Sequence, residues 1–151
     1  MKSRRREFLA AVAVSTAACG GHPSPWRFLT QQEADILAAV CARIIPTDQD
    51  PGAVEAGVVD FIDRQLAGFY KAHQKTYRES VAGIGAAFVK LSAAEQTAFL
   101  KALEKKRDPF FDLVVTHTMQ GYYGDPRHGG NREVVSWRML GVPSVPIRGR
   151  A

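Results

Sequence analysis

Few residues in this 151-residue chain are equipped for chemistry, and they do not fall into a recognised catalytic pattern. The candidates are four histidines, His22, His73, His117 and His128, and two cysteines, Cys19 and Cys41. A covalently attached haem needs Cys-x-x-Cys-His, and the two cysteines lie far apart. A flavin or nicotinamide domain needs a glycine-rich turn between a strand and a helix, where backbone can approach a pyrophosphate. The nearest match, Gly83-Ile84-Gly85-Ala86-Ala87-Phe88, lacks the final glycine and sits in a helical pattern with no strand before it. Neither a Gly-x-Ser-x-Gly elbow nor a His-Glu-x-x-His zinc motif is present. His117, Asp125 and His128 invite a metal reading, but no recognised ligand spacing supports it; backbone hydrogen bonding in an ordered loop is the plainer role. The chain therefore presents no catalytic residue, no cofactor site and no metal site of its own.

The most informative stretch is Gly121-Tyr122-Tyr123-Gly124-Asp125-Pro126-Arg127-His128-Gly129-Gly130-Asn131. Its glycines permit unusual backbone angles and the close approach of another surface. Tyrosine, tryptophan and arginine are enriched at protein interfaces. The stretch and its neighbour therefore read as a docking surface made by Tyr122, Tyr123, Asp125, Arg127, His128, Asn131 and Trp137. The competing reading is a loop that merely ties two helices together.

The N-terminus carries a different kind of signal. Arg5-Arg6, one spacer, then Phe8-Leu9 has the form of a twin-arginine export signature, followed by the mildly apolar run Leu9 to Ala18. That run is too short to span a bilayer and suits a signal peptide. A twin-arginine passenger crosses the membrane folded, and the destination is the periplasm or its membrane face. Thr16-Ala17-Ala18-Cys19 resembles a lipoprotein processing site, with cleavage near Ala18 and no lipid as the alternative. A single acyl chain would give only marginal attachment. The total charge is +5; Lys2, Arg4, Arg5 and Arg6 against Glu7 place +3 of it in the leader and leave +2 for the remainder. That balance, with no basic stripe interleaved with aromatics, disfavours nucleic-acid binding.

The elements that must position the loop all read as helices. Thr30-Gln31-Gln32-Glu33 is a capping-box pattern ahead of Ile36, Leu37, Val40, Cys41 and Ile44, and Pro46 stops that run. Cys41 lies within the apolar stripe as a small hydrophobe. A turn-rich stretch, Asp48 to Gly57, precedes a second helix with Val58, Val59, Phe61, Ile62, Leu66 and Phe69 on its faces. His73, among Lys71, Gln74 and Lys75, reads as solvated. Tyr77, Val81, Ile84, Phe88 and Leu91 predict one continuous third helix. Ser92 to Glu95 is a second capping box, Pro109 opens another helix at its favoured first position, and Asn131 is placed to cap a last one that Gly141 ends. The expectation is an all-α protein, a single domain of five to six helices over residues 26–141. A signal peptide (1–18), a linker (19–25) and an extended tail (142–151) complete the chain.

With these blocks in place, the chain resembles the gluconate 2-dehydrogenase subunit 3 family, which includes the small subunit of bacterial FAD-dependent glucose dehydrogenases. The likeness rests on Phe28-Leu29-Thr30 with Glu33, Ile44-Ile45-Pro46-Thr47-Asp48, Pro51-Gly52-Ala53, and Gly57-Val58-Val59-Asp60-Phe61-Ile62-Asp63. It continues through Tyr77-Arg78, Phe110-Phe111, Tyr122 through Asn131, and Trp137 through Gly141. The resemblance implies a role in a complex. A large partner subunit holds FAD and oxidises the sugar or sugar acid, and often a multihaem cytochrome c carries the electrons to the membrane. The small subunit takes the flavoprotein through the twin-arginine machinery and stabilises it, without catalytic residues of its own. The alternative is a free-standing periplasmic lipoprotein or binding module.

Overall fold

A computed structural model of the protein describes residues 25–143. The leader residues Arg5, Arg6, Phe8 and Leu9, together with Cys19 and the end of the tail, lie outside the described residues. Three helix starts follow directly from local chemistry. Helix α1 (Gln31–Ile44) begins at Thr30, whose side chain accepts from the Glu33 amide while the Glu33 carboxylate accepts from the Thr30 amide. Ser92 and Glu95 repeat that arrangement at α4 (Ala93–Lys105). Helix α5 (Pro109–Tyr123) has Pro109 in its first turn and Asp108 as cap, accepting from the Phe110 amide at 2.9 Å. Helices α2 (Val58–Ala67), α3 (Gln74–Ile84) and α6 (Val135–Met139) complete the set, with short 3₁₀ turns at Lys71–His73, Ala86–Lys90, Pro126–His128 and Arg132–Val134. No strand occurs among the described residues, and the fold is all-helical, as expected.

Helix α1 is the hub: it packs against α2, α3, α4 and α5, and Leu37, Val40 and Cys41 on its inner face are fully buried. Around them lie Ile62 and Leu66 of α2, Val81 of α3, Leu100 of α4, and Phe110 and Val114 of α5. Cys41 behaves as a hydrophobe: burial pushes its thiol up to about 11, and Sγ rests 3.3 Å from Thr118 Oγ1. One carboxylate is also inside. Asp63, 3% exposed, accepts the amides of Arg27, Phe28 and Leu29 at 2.7, 2.9 and 2.9 Å, and so pins the entering chain to α2. Arg78 completes the clamp, donating to the Phe28 carbonyl at 2.7 Å, pairing with Glu33 and lying over the Phe28 ring.

Three sequence expectations need correcting. The third helix does not run to Leu91: α3 stops at Gly85, whose φ of 78° only glycine adopts without strain, and Phe88 reaches the core from the 3₁₀ turn instead. Leu91 is left exposed. Phe69 lies beyond the end of α2 at Ala67 and is 87% exposed, not part of the buried stripe. His73 is half-buried, its ring edge-on to Tyr70 and to His117.

His117 is a buried polar group on α5. Its Nδ1 shares a 2.9 Å hydrogen bond with the Tyr77 hydroxyl, and its ring stacks on Tyr70 with centroids 4.2 Å apart. Burial, assisted by nearby His73, pushes its pKa down to about 4 from 6.5. The folded state thus resists a proton that the unfolded chain accepts. The resulting stability is fully present above the unfolded value and is lost as pH falls from about 6.5 toward 4, by on the order of 3 kcal/mol at most. Denaturant unfolding across that window should show wild-type stability falling, with a distinctly flatter profile for His117→Gln. Equal slopes for the two proteins would show that His117 does not titrate in this way.

Candidate functional site

The sequence-defined docking stretch divides into an inner and an outer half. Gly121, Tyr122 and Tyr123 form the last turn of α5, so the loop proper starts at Gly124. Tyr122 is 2% exposed and donates its hydroxyl to the Pro51 carbonyl at 2.6 Å, tying α5 to the turn before α2. Asn131 is fully buried. Its Nδ2 donates to the Gly124 carbonyl at 2.9 Å, and its Oδ1 accepts from the Ser136 amide at 3.1 Å. Val134 holds the cap position of α6 that the sequence suggested for Asn131, and Asn131 satisfies a first-turn amide of that helix from across the turn Arg132–Val134. Neither Tyr122 nor Asn131 can face a partner. Burial assigns both to holding the loop, a correction to the surface role read from sequence.

The outer half carries the remaining candidates. Asp125 accepts from the Arg127 amide at 2.9 Å and from its guanidinium at 3.0 and 2.8 Å. This contact holds the Asp125 carboxyl below its usual range and fixes the direction of an exposed arginine. Trp137 is half-buried and donates Nε1 to the Tyr123 carbonyl at 2.9 Å, which seats α6 on the end of α5. Tyr123, Arg127 and His128 are exposed beside it. These side chains suit recognition of another protein surface: an aromatic pair, a directed guanidinium and an imidazole.

Backbone fit explains why this loop has this sequence. A Cβ on Gly130 would stand 2.1 Å from the Gly121 carbonyl oxygen, and one on Gly129, where φ is 108°, would meet the Arg64 side chain at 2.8 Å. Asn131, Glu133 and Val134 all have φ near 50°, a costly conformation for a β-branched residue in particular. The Arg132 amide bonds the Ala56 carbonyl at 3.0 Å and its side chain pairs with Asp60, anchoring the strained turn to α2.

His117 is buried in α5 and bonds the Tyr77 hydroxyl, whereas Asp125 and His128 lie in the loop after that helix. Among the described residues no group of three His, Cys, Asp or Glu side chains is placed to hold a metal ion. A surface cleft of about 400 Å³ lies between α1 and α3, lined by Thr30, Glu33, Ile36, Val81, Ala82 and Ala86 among others, with no histidine or cysteine in it. Sequence reasoning missed that Phe69, Met119, Met139 and Leu140 are exposed apolar residues. Gly68, a helix stop immediately before Phe69, was the available signal.

Gly130→Ala should force the loop off α5 and cost about 2 kcal/mol in stability, in the range of overpacking substitutions. Thermal unfolding should show a drop of several degrees for this variant, on the size-dependent scale of small domains. Unchanged unfolding would mean that the loop can yield at no cost.

A model of the family described as gluconate 2-dehydrogenase subunit 3 matches residues 31–143, from the first residue of α1 to the last described residue. Searches of curated proteins and of solved structures return no match. Since the match spans all six helices and the whole of the Gly124–Asn131 loop, the chain belongs to the gluconate 2-dehydrogenase subunit 3 family.

Proposed function

We propose that this chain is the non-catalytic small subunit of an FAD-dependent sugar or sugar-acid dehydrogenase, carrying the flavoprotein subunit through twin-arginine export and stabilising it in the periplasm. The observation that carries the reading is the family match over residues 31–143. A protein named as a third subunit belongs to a complex, and the question becomes what this chain adds to it. The outer loop and the helix ends beside it offer recognition groups, Tyr123, Arg127, His128 and Trp137, rather than a nucleophile with a base. On this reading FAD and substrate sit on the large subunit, and a multihaem cytochrome c accepts the electrons.

Export and stabilisation then share one physical basis. A twin-arginine passenger crosses folded, so a flavoprotein loaded with its cofactor in the cytoplasm can cross only while attached to a chain bearing the signal. Arg5-Arg6 with Phe8-Leu9 is such a signal on this chain. Binding to the folded flavoprotein also stabilises it by mass action, since the unfolded partner has no matching surface. No helix among the described residues is long and apolar enough to cross a membrane. Membrane association on this reading comes through the complex or through a lipid on Cys19.

Replacing Arg5-Arg6 with Lys-Lys should leave the dehydrogenase active but confined to the cytoplasmic fraction, with periplasmic activity reduced to background. Cell fractionation with a dye-reduction assay measures this. Normal export of active dehydrogenase from a strain lacking the chain altogether would refute the escort role and favour a free-standing periplasmic module.

A further inference from the structure

Phe69 is the largest departure from the expected burial pattern: a phenylalanine 87% exposed, just past the end of α2. It is not isolated. Its ring meets Tyr70 edge-on with centroids 5.5 Å apart, and the Tyr70 hydroxyl donates to Gln120 on α5 at 2.7 Å. Gln120 shares the outer face of α5 with Met119 and Tyr123, which are 42% and 38% exposed. Trp137 continues the line through its bond to the Tyr123 carbonyl. A track through Tyr70, Gln120 and Tyr123 thus links Phe69 to the outer loop. Tyr70 is held from beneath by stacking on His117, so the base of the protruding ring is rigid.

We propose that Phe69 is the anchor of the docking surface, inserting into an apolar pocket with an acidic rim on the companion flavoprotein. This deepens the reading of the chain as a small subunit and rests on it. The charge requirement follows from the residues around the track. Asp60 and Asp125 are already engaged by Arg132 and Arg127, whereas Arg64 and Lys71, on either side of Phe69 in sequence, form no ion pair among the described residues. Lys71 is two residues from Phe69 and the Arg64 side chain lies against Gly129 of the outer loop, so a partner that covers the track from Phe69 to that loop meets both cations, and carboxylates there offset their loss of water. A rigid aromatic filling a pocket at the centre of an interface is the usual form of a binding hot spot.

The test co-expresses the tagged full-length chain with the companion flavoprotein, then titrates the purified flavoprotein against each variant, reading flavin absorbance in the captured complex. Phe69→Asp and Phe69→Ala should weaken capture by roughly tenfold or more. Phe69→Leu should restore most of it, and all three variants should keep the wild-type helical circular dichroism because the ring is outside the core. If Phe69→Asp and Phe69→Ala bind like wild type while Arg127→Ala and Trp137→Ala lose binding, the anchor is elsewhere on the surface and the subunit reading stands. If the wild-type chain captures no flavoprotein, both fall. A self-dimer that Phe69→Asp dissolves, or Phe69-dependent binding to anionic phospholipid vesicles, with flavoprotein capture unchanged, would assign the patch to those occupants and overturn the proposal.

Discussion

The arrangement of the outer surface depends on one close approach, the packing of Gly130 backbone against the carbonyl of Gly121. No side chain fits in that gap, so the loop after α5 must fold back over the end of the helix. Gly121 is itself held by Phe61 of α2, whose ring would lie 3.0 Å from any Cβ there. The contact thus links α2, α5 and the loop into one layer. Asn131 then has a fixed place, bridging Gly124 to Ser136, and the left-handed backbone at residues 131, 133 and 134 follows from meeting both anchors. Strain of this sort persists only where the surroundings over-determine the conformation. Here the Asn131 amide, the Arg132 bonds and the seating of Trp137 provide that determination.

Helix α5 is the element through which interior and surface communicate. Its inner face supplies Phe110, Val114, His117, Thr118 and Tyr122, and its outer face supplies Met119, Gln120 and Tyr123. Several inner groups are polar yet paired: His117 with Tyr77, Thr118 with Cys41, Tyr122 with the Pro51 carbonyl. A buried polar group is costly to leave unpaired, so each pairing specifies a single register of α5 against its neighbours. Asp63 has the same effect on the entering segment, where three amides converge on one carboxylate. Specific polar contacts within an apolar core therefore set the rotation of α5, and with it which residues reach the surface.

Much of the helical framework was legible in the sequence because helix starts are decided locally. Thr30 with Glu33 and Ser92 with Glu95 need only their own backbone to cap a helix, and Asp108-Pro109 needs little more. Periodicity failed where the chain changed direction. Phe88 kept the spacing of a helix continued from Tyr77, but it reaches the core after the break at Gly85, and spacing alone cannot separate those two routes. Phe69 kept the spacing of α2 but fell past its last turn. The docking stretch was recognisable from residue types, yet its division was not. Whether Tyr122 or Tyr123 faces inward depends on the rotation of α5, which is fixed by partners as distant as Pro51. Asn131 was read as the cap of the last helix; Val134 holds that position, and the bridge from Asn131 to Gly124 is a tertiary contact with no local signature.

A rigid outer loop matters for the proposed escort role because of what association costs. Ordering a flexible segment at the moment of binding consumes part of the interaction energy, and a preorganised surface avoids that loss. Here the ordering is completed by folding. Arg127 is already directed by Asp125, Trp137 is already seated on Tyr123, and Tyr70, stacked on His117, already meets Phe69 edge-on. An exposed phenylalanine carries an aggregation risk in a free monomer. That risk is tolerable if the surface is covered soon after synthesis, which is the order of events that the proposed escort role requires. The same features that make the outer face stiff in isolation are therefore those that would let it select a correctly folded companion: a rigid anchor and a fixed guanidinium have few ways to adapt to a partner whose pocket has not yet formed.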